Sequence, residues 1–269
     1  MKRSILLTAL ALLITAPAAF AQDWAKAQLE KSPRHREMIT LKHDGRSVDA
    51  FVVYPEAKGK TPVIVVIHEI FGLTDWPQEV ADEFAAAGYI AIAPDLLSGM
   101  GPNGGGTKSI TGGQTEISAA ISKLPPDQIT ADLNAAADYA LKLPSSNGKL
   151  YSTGFCWGGG QTFRFATNRD DLQAVFSFYG GPPPAADMAR IKANIYGFYG
   201  GQDSRIGAQI PKAIDDMKAA GKFYEPVTYD GAQHGFMRLG EDPGNANDAN
   251  KTARDKAWAK IKEVTAKGK

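Results

Sequence analysis

Five β-branched residues in a row, Val63-Ile64-Val65-Val66-Ile67, constrain the fold more than any other stretch of the chain. Successive side chains of a strand point to opposite faces of the sheet, so an unbroken apolar run must be covered on both. Tyr89-Ile90-Ala91-Ile92-Ala93 before Pro94, Ala174-Val175-Phe176-Ser177-Phe178 and the stretch from Ala193 to Tyr199 have the same character. Shorter strands are expected at Val48 to Tyr54, Leu150 to Thr153 and Phe223 to Tyr229. Helical patterns lie between them. Residues 76–87 place Val80, Phe84 and Ala87 on one side, with Gly88 as a stop, and 127–143 space Ile129, Leu133, Ala137 and Leu141 four apart. Further helices are expected over 158–168, 207–220 and 248–266. Strands alternating with helices define the α/β class: a mostly parallel central sheet with helices on both faces. Ligands of such sheets bind beyond the carboxyl ends of the strands.

The first 21 residues stand outside this pattern. Lys2 and Arg3 precede an apolar run from Ile5 to Ile14, and Ala19-Phe20-Ala21 has the small-x-small form of a signal-peptidase site. The run is shorter than the about 20 apolar residues of a membrane span. The expectation is a signal peptide over 1–21 and one domain over 22–269, periplasmic or secreted, with no membrane attachment after cleavage. Without Lys2 and Arg3, 28 basic residues face 29 acidic ones. That balance argues against nucleic acid or anionic lipid as a partner, since both require a clustered basic excess. Nothing in the sequence sets the assembly beyond a monomer or weak homo-oligomer.

There is one cysteine, Cys156. It cannot form an intrachain disulfide, and a lone thiol in an oxidising compartment is exposed to oxidation. A small buried core residue is one explanation. Its neighbours supply another. In Thr153-Gly154-Phe155-Cys156-Trp157-Gly158-Gly159-Gly160 a short strand runs through small-x-Cys-x-Gly-Gly into a helix. This is the pattern of the α/β-hydrolase nucleophile elbow, with cysteine in place of serine. Glycine suits positions 154 and 158, where strand and helix backbones approach closely, although such glycines also serve simple packing. The N–H groups of the first helical turn are expected to favour the thiolate.

In this fold the acid and the histidine follow the nucleophile in that order. Asp203, in Gly200-Gly201-Gln202-Asp203, follows the strand ending near 199, and His234 follows the strand ending near 229. Asp230, four residues before His234, is a rival acid. His234 would take the thiol proton and Asp203 would fix its tautomer. An oxyanion hole needs two backbone donors: the N–H of Trp157, and one from the loop after an early strand, here His68-Glu69-Ile70-Phe71-Gly72.

With these residues in view, the chain resembles the dienelactone hydrolase (carboxymethylenebutenolidase) family. The resemblance is carried by His68-Glu69-Ile70-Phe71-Gly72-Leu73, Ala93-Pro94-Asp95-Leu96, Gly154-Phe155-Cys156-Trp157-Gly158-Gly159, Gly201-Gln202-Asp203 and His234-Gly235-Phe236. It implies an α/β-hydrolase fold, a Cys156, Asp203, His234 triad, and Ile70 and Trp157 as oxyanion donors. It also implies that Glu69 contacts the resting thiol and is freed by substrate to help deprotonate it, and that Arg238, four residues after His234, binds a substrate carboxylate. A second arginine expected shortly after Pro94-Asp95-Leu96 is missing: no basic residue follows until Lys108.

Other signals point elsewhere. His68-Glu69-Ile70-Phe71-Gly72 begins like a zinc-protease helix but ends in glycine, and the four histidines are scattered, so no metal is expected. Residues 98–126 read as a glycine-rich loop with a short helix near 114–123, either shaping the pocket or forming a solvated excursion. Trp76 and Trp258 read as core or helix-packing residues; the Phe178-Tyr179 and Phe198-Tyr199 pairs, each before Gly-Gly at a strand end, read as core, with lining of the pocket as the alternative. The function expected is hydrolysis of a small ester or lactone, carboxylate-bearing or not, through an acyl-thioenzyme and without cofactor. The rivals are thioester hydrolysis or acyl transfer on a larger substrate, and a non-catalytic redox-responsive binding protein.

Overall fold

The computed structural model describes residues 22–266; the signal-peptide expectation for 1–21 lies outside them. The described residues open with α1 (Asp23–Lys31), β1 (Arg36–His43), β2 (Arg46–Val53), β3 (Thr61–Ile67), α2 (Asp75–Ala86) and β4 (Ile90–Pro94). There follow α3 (Gly113–Ile121), α4 (Pro126–Lys142), β5 (Ser146–Phe155), α5 (Trp157–Phe165) and β6 (Leu172–Phe178). The last third contains α6 (Ala185–Met188), β7 (Asn194–Gly200), α7 (Ser204–Gly207), α8 (Ile210–Ala219), β8 (Tyr224–Tyr229), α9 (Phe236–Leu239) and α10 (Asp248–Ala266). The eight strands form one sheet in the order β1-β2-β4-β3-β5-β6-β7-β8. Pairing is antiparallel from β1 through β2 to β4 and parallel from there on.

The apolar run behaves as its chemistry requires. All of β3 is buried. Ile64 and Val66 enter a core shared with Trp76, Val80 and Phe84 of α2 and Trp258 and Ile261 of α10. Val63, Val65 and Ile67 face the opposite core, with Ile129, Leu133 and Ala137 of α4, Phe163 of α5 and Met217 of α8. Each such side chain contributes about 1.5–3 kcal/mol by leaving water, which is why the middle of the sheet is its most apolar part.

Several elements differ from expectation. β5 starts at Ser146 rather than Leu150, because Ser146 pairs with Thr61 at the foot of β3. The helix expected over 207–220 is two: α7 ends at Gly207, and α8 restarts with Pro211 in its first turn, where a residue without an N–H is tolerated. The edge strand β1 and helix α1 carry no strong sequence signal, yet α1 packs on α2 through Ala25 and Leu29. The 98–126 segment contains two short 3₁₀ turns and α3; it is exposed at its crest but anchored by buried Thr107, Ile121 and Leu124. Among the described residues no helix is long and apolar enough to cross a membrane.

Candidate active site

The tight turn from β5 into α5 sets the site. Cys156 is the N-cap of α5, with φ 56° and ψ −118°. A non-glycine residue with positive φ carries strain of order 1–3 kcal/mol, so its neighbours must hold it. They do: the Cys156 N–H donates to the Phe178 carbonyl at 3.0 Å, and its carbonyl accepts from the Gly160 N–H at 3.2 Å. A side chain at Gly154 would collide with the Gly158 carbonyl, and one at Gly158 with the carbonyls of Ile67 and His68. The elbow glycines are therefore required by backbone approach between β5, β3 and α5.

The thiol is half-buried and is held as a neutral SH. Burial, and then the nearby Glu69 charge, push it up to about 11. The backbone N–H groups of Trp157 and Ile70 are directed at the sulfur and pull the other way, as does the charge of exposed Arg205. The helix-terminal field expected to favour the thiolate is thus present but outweighed. The correction has a simple cause: desolvation opposes any buried charge, and here an anion lies beside it.

Asp203 and His234 meet from successive loops. Asp203 is the N-cap of α7; its Oδ1 accepts from the Ile206 N–H at 3.2 Å and its Oδ2 accepts from His234 Nδ1 at 2.5 Å. A carboxylate can only accept, so Nδ1 carries the hydrogen and Nε2 is the nitrogen able to take a proton. Asp230, the rival acid, is exposed and makes no such contact among the described residues. The His234 loop is fastened to α10, where buried Asn250 accepts from the Gln233 N–H and donates to the Gln233 side chain, both at 2.9 Å.

Tyr179 belongs to the site as well as to the core. Its ring lies 4.9 Å from the His234 ring, its φ is 41°, and it is fully buried. The phenol oxygen completes no hydrogen bond among the described residues, and burial followed by the Glu69 charge holds it protonated. The Phe-Tyr-Gly-Gly repetition in the sequence was a usable signal for this residue, but it did not separate Tyr179 from Tyr199, whose hydroxyl bonds Tyr224 instead at 2.7 Å.

Glu69 and Arg238 are paired. Arg238 Nε donates to Glu69 Oε2 at 3.0 Å, and the guanidinium lies 5.6 Å over the Phe71 ring. Burial raises the Glu69 carboxyl above its usual range, opposed by Arg238 and His234. Arg238 is accordingly engaged in the resting site. Arg205, two residues after Asp203, was not singled out by the sequence pattern. His68 bonds locally: Nδ1 donates to the Glu69 carbonyl at 2.8 Å, Nε2 accepts from the Leu96 N–H at 3.4 Å, and burial keeps the ring neutral. Among the described residues, three carboxylates lie within 4.8 Å of one another, those of Glu79, Glu83 and Glu241. Arg254 already occupies their centre, 2.5 Å from Glu83 and 3.1 Å from Glu241.

Comparison with known proteins follows the same line. A model of the Dienelactone hydrolase family matches residues 48–267. The chain belongs to the dienelactone hydrolase family. A Salmonella typhimurium protein described as "Putative carboxymethylenebutenolidase" is 31% identical over 212 residues, 74% of this chain and 77% of that one. A Methylorubrum extorquens protein of the same description is 33% identical over 201 residues, 70% of this chain and 68% of the other. The solved structure of a "Putative Dienelactone Hydrolase" from Klebsiella pneumoniae superposes with TM-score 0.75 at 25% identity, covering 87% of this chain and 98% of that one. The fold is that of the α/β-hydrolases, and the chain is a hydrolase of this family.

Proposed function

We propose that this dienelactone hydrolase family member is an exported enzyme that opens small esters or lactones through Cys156. The observation carrying the proposal is that two backbone N–H groups, of Ile70 and Trp157, act on the sulfur of one strained residue, in a chain whose Asp203 and His234 are hydrogen-bonded as the remaining members of a triad would be. Export rests on the Lys2, Arg3 and Ala19-Phe20-Ala21 pattern.

Chemistry follows from the resting state. The thiol is neutral and Glu69 is bound to Arg238, so the nucleophile is idle until substrate arrives. A substrate that disturbs the ion pair leaves Glu69 an unpaired buried carboxylate, a stronger base beside the thiol. With Glu69 assisting, His234 Nε2 accepts the thiol proton, and the sulfur bonds to the substrate carbonyl carbon. The carbonyl oxygen becomes an oxyanion held by the N–H groups of Ile70 and Trp157; one such donor is worth about 2.7–4 kcal/mol in the transition state. Collapse breaks the ester C–O bond, and the departing alkoxide takes the proton from His234. Water, deprotonated by His234, then attacks the thioester, and the carboxylic acid leaves as the thiol is restored. A substrate carboxylate would compete with Glu69 for Arg238, and exposed Arg205, whose charge acts on the same thiol, offers it a second cation.

The test is hydrolysis of p-nitrophenyl acetate by wild type and Cys156→Ala, with a panel of lactones, short esters and thioesters. The expected loss in Cys156→Ala is on the order of 10³-fold or more. Equal rates would overturn the mechanism, and a panel responding to thioesters alone would move the substrate class.

A further inference from the structure

The glycine-rich segment after β4 takes no part in the chemistry above, yet it grips the loop that does. Thr107 is buried there, on a short 3₁₀ turn. Its N–H donates to Asp95 Oδ2 at 2.7 Å and its hydroxyl donates to Asp95 Oδ1 at 2.7 Å. The same hydroxyl accepts from the Leu73 N–H at 3.1 Å. Leu73 lies three residues after Ile70, in the loop joining β3 to α2. The Thr107 side chain also packs against Gly72, where a Cβ would collide with it; Gly72 has φ 75°. A second contact reaches the same loop from α3: the Ser118 hydroxyl donates to the Ile70 carbonyl at 3.4 Å.

Both partners of the Thr107 hydroxyl are buried. Asp95 sits at the end of β4, and its Oδ1 takes a further bond from the Leu97 N–H at 3.1 Å. Because β4 lies beside β3 in the sheet, Asp95 is a fixed point next to the loop that carries Ile70. The Thr107 hydroxyl transmits that fixed point to the loop, since it can donate in one direction and accept in the other. A buried backbone N–H without a partner is costly, so the Leu73 amide will seek another position if the hydroxyl is removed. The Ile70 N–H, three residues away on the same seven-residue loop between β3 and α2, moves with it.

We infer that Thr107, with Ser118 as a weaker partner, is a positioning residue that holds the Ile70 N–H in register with the Cys156 sulfur. This rests on reading Ile70 as an oxyanion donor and Cys156 as the nucleophile. The experiment compares two reactions of the same thiol. Ester hydrolysis builds an oxyanion at the Ile70 N–H; alkylation by iodoacetamide displaces iodide at a saturated carbon and builds none. Thr107→Val, which keeps the shape and removes the hydroxyl, is expected to lower kcat on the order of tenfold with KM little changed, while the alkylation rate stays within about twofold of wild type. Thr107→Ser, which restores the hydroxyl, recovers most of kcat. Ser118→Ala, on a half-buried helix position, gives the same pattern with a smaller loss, and carries the test if Thr107→Val does not fold. Unchanged hydrolysis in Thr107→Val, or in Ser118→Ala where that variant stands in, overturns the inference. So does an equal fall in hydrolysis and alkylation, which would mean general disruption. If Cys156→Ala keeps full activity, the nucleophile reading fails; if Cys156→Ala is inactive and Thr107→Val is unimpaired, the positioning role alone fails.

Discussion

Two buried clusters in this molecule join glutamate to arginine, and they differ in stoichiometry. At the thiol, one carboxylate faces one guanidinium, Glu69 and Arg238, beside a neutral SH; burial raises the Glu69 carboxyl and Arg238 opposes the rise. Behind it, Glu79 and Glu83 of α2 and Glu241 after α9 share Arg254 of α10, and Trp76 Nε1 donates to Glu241 at 3.1 Å. Three carboxylates cannot be balanced by one arginine, so protons make up the difference. Burial, then the neighbouring acids, push Glu79 up to about 11, and burial pushes Glu83 to about 7 against the pull of Arg254. The first cluster is matched and can exchange partners when a substrate intrudes. In the second the proton is a structural component, and the cluster fastens the segment that carries Arg238 to α2 and α10.

Breaking the matched pair should have the largest effect. Glu69→Gln leaves the half-buried Arg238 without its hydrogen-bonded carboxylate, with Asp242 the one carboxylate still acting on its charge, and costs up to about 3 kcal/mol. It also removes an anion that raises the thiol, so the pH profile of iodoacetamide alkylation should shift to lower pH; an unmoved profile would separate Glu69 from Cys156. Arg254→Leu should cost less, about 2 kcal/mol at neutral pH, because its carboxylates can take up protons in compensation. Arg254 holds Glu83 down, so the deficit should grow as pH rises, which urea denaturation at several pH values would show.

Glu79→Gln sharpens the contrast further. The folded value of Glu79 lies above its ordinary value of 4.5, so folding takes up a proton between the two. Its contribution is complete below about 4.5 and is lost progressively as pH rises toward about 11. The amide keeps a donor for Glu241 and does not titrate. The variant should match wild type near pH 4.5 and lose less stability as the pH rises to about 9; parallel curves would show that this proton does not contribute. The smallest effect is expected of Arg205→Gln: a rise of a few-fold in KM for carboxylate-bearing esters and none for neutral ones, in steady-state assays.

How much of this was legible depended on the range over which each signal acts. The β3 run, the α10 periodicity and the glycines at 154 and 158 are local, and they located the sheet, the last helix and the elbow. Asp203 and His234 could be chosen because chain order and strand ends restrict where a triad can lie. β1 escaped because its inward positions, Glu37, Ile39, Leu41 and His43, mix polar and apolar residues while Met38 faces out, so the alternation of burial is not an alternation of hydropathy. The state of the thiol escaped for a different reason. The helix N-terminus is visible in sequence, whereas burial and the Glu69 charge arise from chain segments 87 residues apart. Spacing alone marked Arg238 as a ligand cation, and its partner lies 169 residues away. Glu79 and Glu83 fall on one helical face, but nothing local announces Glu241 and Arg254.

The central claim is that Cys156 carries the acyl group. Its most direct test is to quench wild-type enzyme during turnover of p-nitrophenyl acetate, digest it, and locate the acetyl group by mass spectrometry. The account predicts a thioester on the peptide containing Cys156, absent from Cys156→Ala and released by hydroxylamine at neutral pH. Acetyl found on another side chain, with turnover kept in Cys156→Ala, would contradict it.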